Sequence, residues 1–227
     1  MVLVQDKDIE PFSIPELRRR ARGVLADPRE RIVPGGDPAA GRSDYDLNPE
    51  LEKPGTASRH RPAAVLIPIL ERGSEAHVLF TLRSEHLPSH AGQISFPGGK
   101  MEPHDANVAA TALRETQEEI GLESHYVDSI GFLDDYATST GFRISPLVAV
   151  IREGYSIHPD DSEVAEVFDV PLSYLMDSSN HKLLTRQWRG ANRVFYAMHY
   201  QERFIWGATA GMLRNLYEAL YRTGSNT

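Results

Sequence analysis

The sequence predicts an α+β domain in which a mixed β-sheet has one helix on one face and a second helix on the other. Three observations lead to this fold class. Short apolar runs typical of strands recur between Ala63 and Tyr200, a glutamate-rich helical segment lies in the middle of the chain, and a leucine-striped helical segment follows the last strand. One sheet with helices packed on its faces buries all of these apolar surfaces together.

The composition is that of a globular domain with an extension. Of the 227 residues, 41% are hydrophobic and 25% are charged. The formal net charge of −8 argues against nucleic acid or an anionic membrane as the main partner. The absence of cysteine excludes disulfides, thiolate catalysis and zinc–thiolate sites.

Targeting signals are not evident in the sequence. The charged segment Met1 to Glu10 does not resemble a signal peptide, and the longest apolar run, Ala63 to Leu70, is too short to span a bilayer. We therefore expect a cytoplasmic protein. A homodimer is compatible with the sequence, although no pattern specifies an oligomeric state.

Residues 1–59 are predicted to form a helix and an irregular extension, and residues 60–227 to form the main domain. Ser13 to Glu16 has the spacing of a capping box, which predicts a helix from there to about Ala26. The arginines of this helix most simply form a solvated face, since the basic run is short and the chain is acidic. The segment 27–60 is rich in proline, glycine and charge, which favours irregular structure.

The remaining elements of the main domain follow from apolar runs bounded by turn residues. The predicted strands are 63–70, 76–82, 94–96, 126–133, 143–151, 163–170, 182–188 and 194–200, the last two forming a hairpin around Arg189–Asn192. Short and long helices are predicted from Pro171 to Asp177 and from Gly207 to Tyr221.

A further helix is predicted from Ala106 to Ile120, because no proline or glycine interrupts this segment. Asp105 can cap its start, and Gly121 is the residue favoured just past a helix end. The apolar residues Ala109, Ala112 and Leu113 can pack against a core.

Three carboxylates share one face of this helix. Glu115, Glu118 and Glu119 lie at positions i, i+3 and i+4. Two carboxylates 5–6 Å apart repel by roughly 3 kcal/mol at an effective dielectric near 20. Either a hard divalent cation is bound among them, or the face is solvated and Arg114 pairs with Glu118. The preceding Gly98–Gly99 favours a site, since glycines let backbone approach an anion or a metal closely.

The segment from Gly99 to Leu122 resembles the Nudix box, Gly-x5-Glu-x7-Arg-Glu-U-x-Glu-Glu-x-Gly-U, where U is a bulky apolar residue. The matching residues are Gly99, Arg114, Glu115, Glu118, Glu119, Gly121 and Leu122. Asp105 stands where glutamate is usual, eight residues rather than seven separate it from Arg114, and Thr116 replaces the first apolar residue. Asp105 therefore receives no expected role beyond capping.

Upstream segments are similar to one branch of that superfamily, the coenzyme A pyrophosphatases. They read Leu79-Phe80-Thr81-Leu82-Arg83-Ser84, Leu87-Pro88-Ser89-His90-Ala91-Gly92 and Phe96-Pro97-Gly98-Gly99. Thr140-Gly141-Phe142 with Pro146, and Ile205 to Gly211, also look like segments of that branch. The resemblance extends over roughly residues 60–222.

This resemblance implies a Nudix-type mixed β-sheet sandwiched between α-helices and a metal-dependent hydrolase of nucleoside diphosphate derivatives. It implies that Mg²⁺ or Mn²⁺ is held by Glu115, Glu118 and Glu119, with the Gly99 carbonyl as a further ligand. The branch implies coenzyme A or acyl-CoA as substrate. Another derivative such as ADP-ribose or NADH, and a domain that senses a nucleotide without turnover, are the alternatives.

The resemblance also suggests roles for residues around the box. Arg114 is expected to orient the metal ligands by pairing with a glutamate. Glu163 is the candidate general base outside the box, Glu166 is a weaker one, and Glu118 is the candidate within the box. As the alternative, Arg114 forms a plain helix ion pair and Glu163 is a surface charge at a strand edge.

Substrate phosphates are expected to meet Arg83, Lys100 and Arg143, which flank the signature segments. His90 belongs to the upstream signature as well. For a histidine in a loop, a structural hydrogen bond is at least as good an interpretation as catalysis.

Overall fold

The computed structural model describes residues 10–29, 42–51, 60–188 and 190–222. Its helices are α1 (Ile14–Ala21), α2 (Val108–Ile120), α3 (Leu172–Leu175) and α4 (Ala208–Leu220). Its strands are β1 (Arg42–Ser43), β2 (Arg61–Arg72), β3 (Glu75–Arg83), β4 (Ile94–Ser95), β5 (Gly98–Lys100), β6 (Val127–Phe132), β7 (Tyr136–Ala137), β8 (Phe142–Ile151), β9 (Val164–Pro171), β10 (Lys182–Trp188), β11 (Ala191–Tyr200) and β12 (Arg203–Trp206).

Strands β1 to β9 form one mixed sheet around β2. Strand β2 pairs in parallel with β8, from Arg61 opposite Phe142 to Ile69 opposite Val150, and antiparallel with β3 and β5. Its residues are buried in an unbroken run because both faces of the sheet are covered. Leu66 faces the core under α2, whereas Ile67 faces the core shared with α1, α3 and α4. The predicted α+β sandwich is confirmed.

Strands β10, β11 and β12 form a separate antiparallel sheet. It packs beside α4, where Met198 and Ile205 are fully buried. The predicted hairpin is confirmed, and Arg189 of its predicted turn lies outside the described residues. Strand β12 was not predicted, because four residues are too few for a periodic pattern to stand out.

Helix α1 packs against the end of α4. Leu17 is fully buried, Phe12 stacks on Tyr221 with ring centroids 5.6 Å apart, and Arg20 donates to the Leu220 carbonyl at 3.0 Å. The expected end near Ala26 is wrong: the helix ends at Ala21. Beyond it the chain turns and bridges to β6.

The segment 42–51 is more ordered than its composition predicts. It contributes β1 to the sheet, and Asp44 accepts hydrogen bonds from the Tyr136 hydroxyl at 3.0 Å and the Ser139 amide at 2.9 Å. The rest of the predicted irregular segment lies largely outside the described residues, and the boundary near residue 59 stays a prediction. In the described ranges, no helix is long and apolar enough to cross a membrane.

Candidate active site

Helix α2 places the acidic face against one edge of the main sheet. Asn107 caps the helix by accepting from the Ala110 amide at 2.8 Å. The prediction that Asp105 is the cap, with the helix starting at Ala106, is therefore wrong. At the other end, Gly121 adopts the left-handed conformation expected of a glycine that ends a helix. Buried Ala112 and Ile120 fix the rotation of the helix about its axis.

The three glutamates have very different surroundings. The exposed fraction of the side chain is 5% for Glu119, 19% for Glu115 and 60% for Glu118. The acidic face of the helix therefore extends from the sheet to the solvent. Of its three carboxylates, only those of Glu115 and Glu119 are largely shielded from water.

Glu119 is buried with few hydrogen bonds. Its carboxylate accepts from the Gly98 amide at 3.2 Å and from Arg83 Nη1 at 3.3 Å, both long for a charged acceptor. Burial raises the pKa of Glu119 to about 7, and the nearby carboxylates of Glu163 and Glu115 act in the same direction. The site therefore holds a carboxylate whose charge is poorly compensated.

Glu115 lies directly against the backbone of β5. A side chain at Gly99 would displace the Glu115 carboxyl group from its present position, so the glycine lets this carboxylate lie against the strand. Burial raises the pKa of Glu115, and Glu118 and Glu163 raise it further, against the opposing effect of Arg114. Glu115, Glu119 and Glu163 thus form one repulsive group.

Glu118 is held by Arg114. The guanidinium donates to Glu118 Oε2 at 2.8 Å and to the Lys100 carbonyl at 3.1 Å, and it lies 3.0 Å from Glu115 Oε1. The i, i+4 ion pair considered for a solvated helix face is thus present. It coexists with the orienting role expected of Arg114, since the same group touches both glutamates.

Asp105 is a part of the site that the sequence reasoning missed. Both of its oxygens accept from Arg114, at 2.9 and 3.0 Å, and Oδ2 also accepts from the Glu102 amide and the Thr111 hydroxyl. These bonds, those from Arg114 above all, hold the pKa of Asp105 well below its usual range. Its position at the usual glutamate of the box was the signal that could have identified it as the partner of Arg114.

Glu163 is the last residue of the turn before β9, and its carboxylate is close enough to affect both buried glutamates. Glu166 belongs elsewhere: both of its oxygens accept from the Arg203 guanidinium, one of them at 2.7 Å. This pairing leaves Glu163 as the better placed of the two candidate bases outside the box.

The predicted phosphate-binding residues are dispersed. Arg83 ends β3 and reaches Glu119, and its buried Nε has no hydrogen-bond partner among the residues that the structure describes. The Lys100 side chain is exposed at the end of β5. Arg143 donates to buried Asp135 at 2.9 Å. His90 bonds Gln93 at 2.9 Å, as expected of a structural loop histidine.

Within the described residues, no three acidic or histidine side chains are gathered as a ready-made metal site. Arg114 Nη1 lies against the carboxylates of both Glu115 and Glu118, at 3.0 and 2.8 Å. The donor set nevertheless fits a hard divalent cation, which takes carboxylate oxygens and would neutralise the repulsion between the two buried glutamates.

Comparison with known proteins gives consistent results. The pattern of the NUDIX domain family matches residues 59–193. A protein named uncharacterized Nudix hydrolase NudL, from Yersinia enterocolitica, is 40% identical over 161 residues, which are 71% of this chain and 82% of that protein. The protein of the same name from Yersinia pestis (strain Pestoides F) is 38% identical over 160 residues, 70% of this chain and 80% of that protein. Among solved structures, a Nudix hydrolase from M. smegmatis, RenU, is 23% identical with a TM-score of 0.44, covering 52% of this chain and 74% of that one.

Proposed function

The chain belongs to the NUDIX domain family, and we propose that it is the metal-dependent enzyme of this family that hydrolyses the diphosphate of coenzyme A or acyl-CoA. Nudix hydrolases act on diphosphate bonds of small nucleotide derivatives and generally use divalent metal ions. The proposed products are 3′,5′-ADP and 4′-phosphopantetheine or its acyl form. The site of action is the acidic edge formed by α2, β5 and the start of β9.

One observation supports the substrate more than any other. In the segment similar to the coenzyme A branch, Leu79 to Phe96, two adjacent residues lie beside the acidic residues. Arg83 contacts Glu119, and Ser84 bonds the turn that ends at Glu163. These contacts support the proposal that residues of the substrate signature and of the box act in one site.

Glu115 and Glu119 would hold the metal, with Glu118 and the Gly99 carbonyl completing the predicted set. A bound divalent cation supplies charge neutralisation for the diphosphate and lowers the pKa of a bound water. Arg114 keeps Glu115 and Glu118 in fixed orientations, and Asp105 fixes Arg114 in turn. The chain therefore contributes carboxylates whose geometry is set by a second layer of ion pairs.

Glu163 is the proposed general base. It is exposed, so a water molecule can reach it, and it lies beside the buried glutamates. Arg83, Lys100 and Arg143 are the proposed contacts to substrate phosphates. Arg83 is the strongest of the three, because its guanidinium reaches Glu119 and its buried Nε has no partner within the described part of the chain.

The test is to incubate the protein with Mg²⁺ or Mn²⁺ and coenzyme A, acetyl-CoA, ADP-ribose or NADH, and to identify the products by mass. We expect 3′,5′-ADP from the first two substrates. If ADP-ribose or NADH is cleaved far faster, the coenzyme A assignment fails and the reaction class survives. Tight binding with equally negligible turnover in wild type and Glu118→Gln would favour a sensing domain.

The choice of base is tested by comparing Glu163→Gln with Glu118→Gln. Loss of a general base lowers kcat by about 10²–10⁴-fold with little change in KM. We expect this pattern for Glu163→Gln, and for Glu118→Gln lower activity together with a higher metal concentration for half-maximal activation. The reverse pattern would make Glu118 the base.

A further inference from the structure

The turn from Asp160 to Glu163 is bonded to the end of the acidic helix. The amides of His158 and Asp160 donate to the carbonyls of Ile120 and Glu119, at 2.8 and 2.9 Å. These two carbonyls belong to the last turn of α2, where a helix leaves its acceptors unpaired. The turn is therefore fixed directly to the helix that bears the glutamates.

A second set of bonds holds the same turn from the opposite side. The Ser84 amide donates to the Glu163 carbonyl at 2.9 Å, and the Ser84 hydroxyl donates to the Asp161 carbonyl at 3.2 Å. His86 Nε2 bonds the Ser162 carbonyl at 3.0 Å, so this nitrogen bears the ring proton. The carbonyls of three consecutive turn residues thus accept hydrogen bonds from two residues just past β3.

The turn is also closed on itself. The Asp160 carboxylate accepts from the amide and hydroxyl of Ser162, at 2.9 and 2.6 Å, and the Asp160 carbonyl accepts from the Glu163 and Val164 amides at 2.8 Å each. Its main chain is consequently defined on three sides. Because the Glu163 side chain itself is exposed, the position of its carboxylate depends on this main chain.

We infer that Ser84 and His86 are positioning residues that hold Glu163 beside Glu115 and Glu119. The inference rests on the proposed function in one respect, the role of Glu163 in hydrolysis. Ser84 is suited to the task because it is buried, at 3% exposure, and directly follows Arg83, which pairs with Val164 in the sheet. His86 reaches the turn from the outside and can be replaced without opening the core.

Hydrogen–deuterium exchange on the full-length protein tests the positioning without any substrate. Ser84→Ala and His86→Ala each remove one bond to the turn, so the amides of Asp160, Glu163 and Val164 should exchange about fivefold to tenfold faster. The matched control is His125→Ala, since His125 is an exposed histidine on the segment before β6. Unchanged exchange in both Ser84→Ala and His86→Ala would overturn the inference.

Kinetics then test the link to Glu163, with whichever diphosphate substrate the wild type cleaves. Both variants should lower kcat by about 10- to 100-fold with KM little changed, since small misplacements of a reacting group cost that much. His86→Gln, which retains an N–H donor, should recover most of the loss. In a Glu163→Gln background, Ser84→Ala and His86→Ala should have almost no further effect on kcat.

The outcomes separate the two claims. If the fold-losses in kcat of the single variants multiply in the double variants, Ser84 and His86 act independently of Glu163. That result would overturn the inference. A wild type that cleaves ADP-ribose rather than coenzyme A contradicts the proposed substrate alone. A wild type without any turnover contradicts the proposed function, and the exchange measurement still decides whether Ser84 and His86 hold the turn.

Discussion

Asp105 and Glu119 are both buried carboxylates at the ends of the segment that forms α2, but their surroundings are opposite. Asp105 accepts four hydrogen bonds, two of them from one guanidinium, whereas Glu119 accepts two long ones. The pKa of Asp105 is held well below its usual range, and burial raises that of Glu119 to about 7. The exposed fraction of the side chain is 3% for Asp105 and 5% for Glu119, so exposure does not explain the difference in pKa.

For Asp105 the charged donors outweigh the effect of burial, whereas for Glu119 burial outweighs the two weak donors. A carboxylate that is fully hydrogen-bonded stabilises the folded protein, and one that is buried without enough donors destabilises it unless a ligand supplies the missing charge. Asp105 is accordingly a structural residue near the site. Glu119 has the properties of a residue retained for what it binds.

The sharpest test of this contrast is Glu119→Gln. Removing this proposed metal ligand should lower kcat/KM about a thousandfold or more, since a bound metal supplies several kcal/mol of transition-state stabilisation. The Tm of the metal-free variant should equal or exceed that of the wild type, because an uncompensated buried charge is removed. Metal-dependent assays and thermal unfolding in a chelator measure the two effects. A variant with full activity would contradict the assignment of Glu119.

The opposite outcome is expected for Asp105→Asn. Breaking its charged pair with Arg114 should destabilise the fold by about 3 kcal/mol and lower activity by about tenfold through misplaced Glu115 and Glu118. Denaturant unfolding and steady-state kinetics measure both. Asn107→Ala is the control, because it removes the helix cap, at about 1 kcal/mol, without touching Arg114. Equal activity losses in the two variants would show that Asp105 acts only on helix stability.

The buried histidine His181 extends this comparison of buried titratable groups to the other side of the sheet. His181 bonds the Leu175 carbonyl through Nε2 at 2.7 Å, and its Nδ1 faces Arg214 at 3.4 Å. Burial lowers the pKa of His181. Its unfolded value is about 6.5, so the folded state disfavours the charged ring, and stability present above that pH is lost as the pH falls toward the folded pKa.

Between pH 7 and pH 5 the wild type should lose about 1 kcal/mol more than His181→Gln, because burial opposes protonation of the ring and the Arg214 cation next to Nδ1 opposes it further. Denaturant unfolding at both pH values measures this difference. Parallel pH dependence in the two proteins would show that the pKa of His181 is the same in the folded and unfolded states, and would contradict the effect of burial.

The smallest effect is expected for Glu166→Gln. Its pair with Arg203 is partly exposed, at 41% and 29% of the side chains, so its loss should change stability by less than about 1 kcal/mol. Unchanged kcat in this variant, beside a large loss in Glu163→Gln, would distinguish Glu166 within β9 from Glu163 just before it. A large loss of kcat in Glu166→Gln would reverse their order.

Local patterns predicted most of the fold. Strands β2, β3 and β8 were recognisable because buried apolar runs stand between turn residues, and α2 because its helical segment ends at Gly121. Strands β5, β7 and β12 were missed because each has two to four residues. Pairing with distant strands, rather than local pattern, defines such elements.

The site was predictable in its residue types and not in its contacts. The spacing of Glu115, Glu118 and Glu119 indicated a shared face, but their unequal burial depends on where the sheet edge meets the helix. The pairing of Arg114 with Asp105, nine residues earlier in the sequence, depends on how the loop before α2 folds back against the helix. Contacts of this kind are set by tertiary packing, which no periodicity records.

The parallel pairing of β2 with β8 has a kinetic consequence. Arg61 and Phe142 are about 80 residues apart in sequence, and joining strands so distant requires closure of a long loop early in folding. The whole acidic helix and β5 lie inside that loop. We therefore expect an isolated peptide of residues 94–132 to remain unable to gather its carboxylates, and recovery of activity after dilution from denaturant to follow chain closure rather than metal uptake.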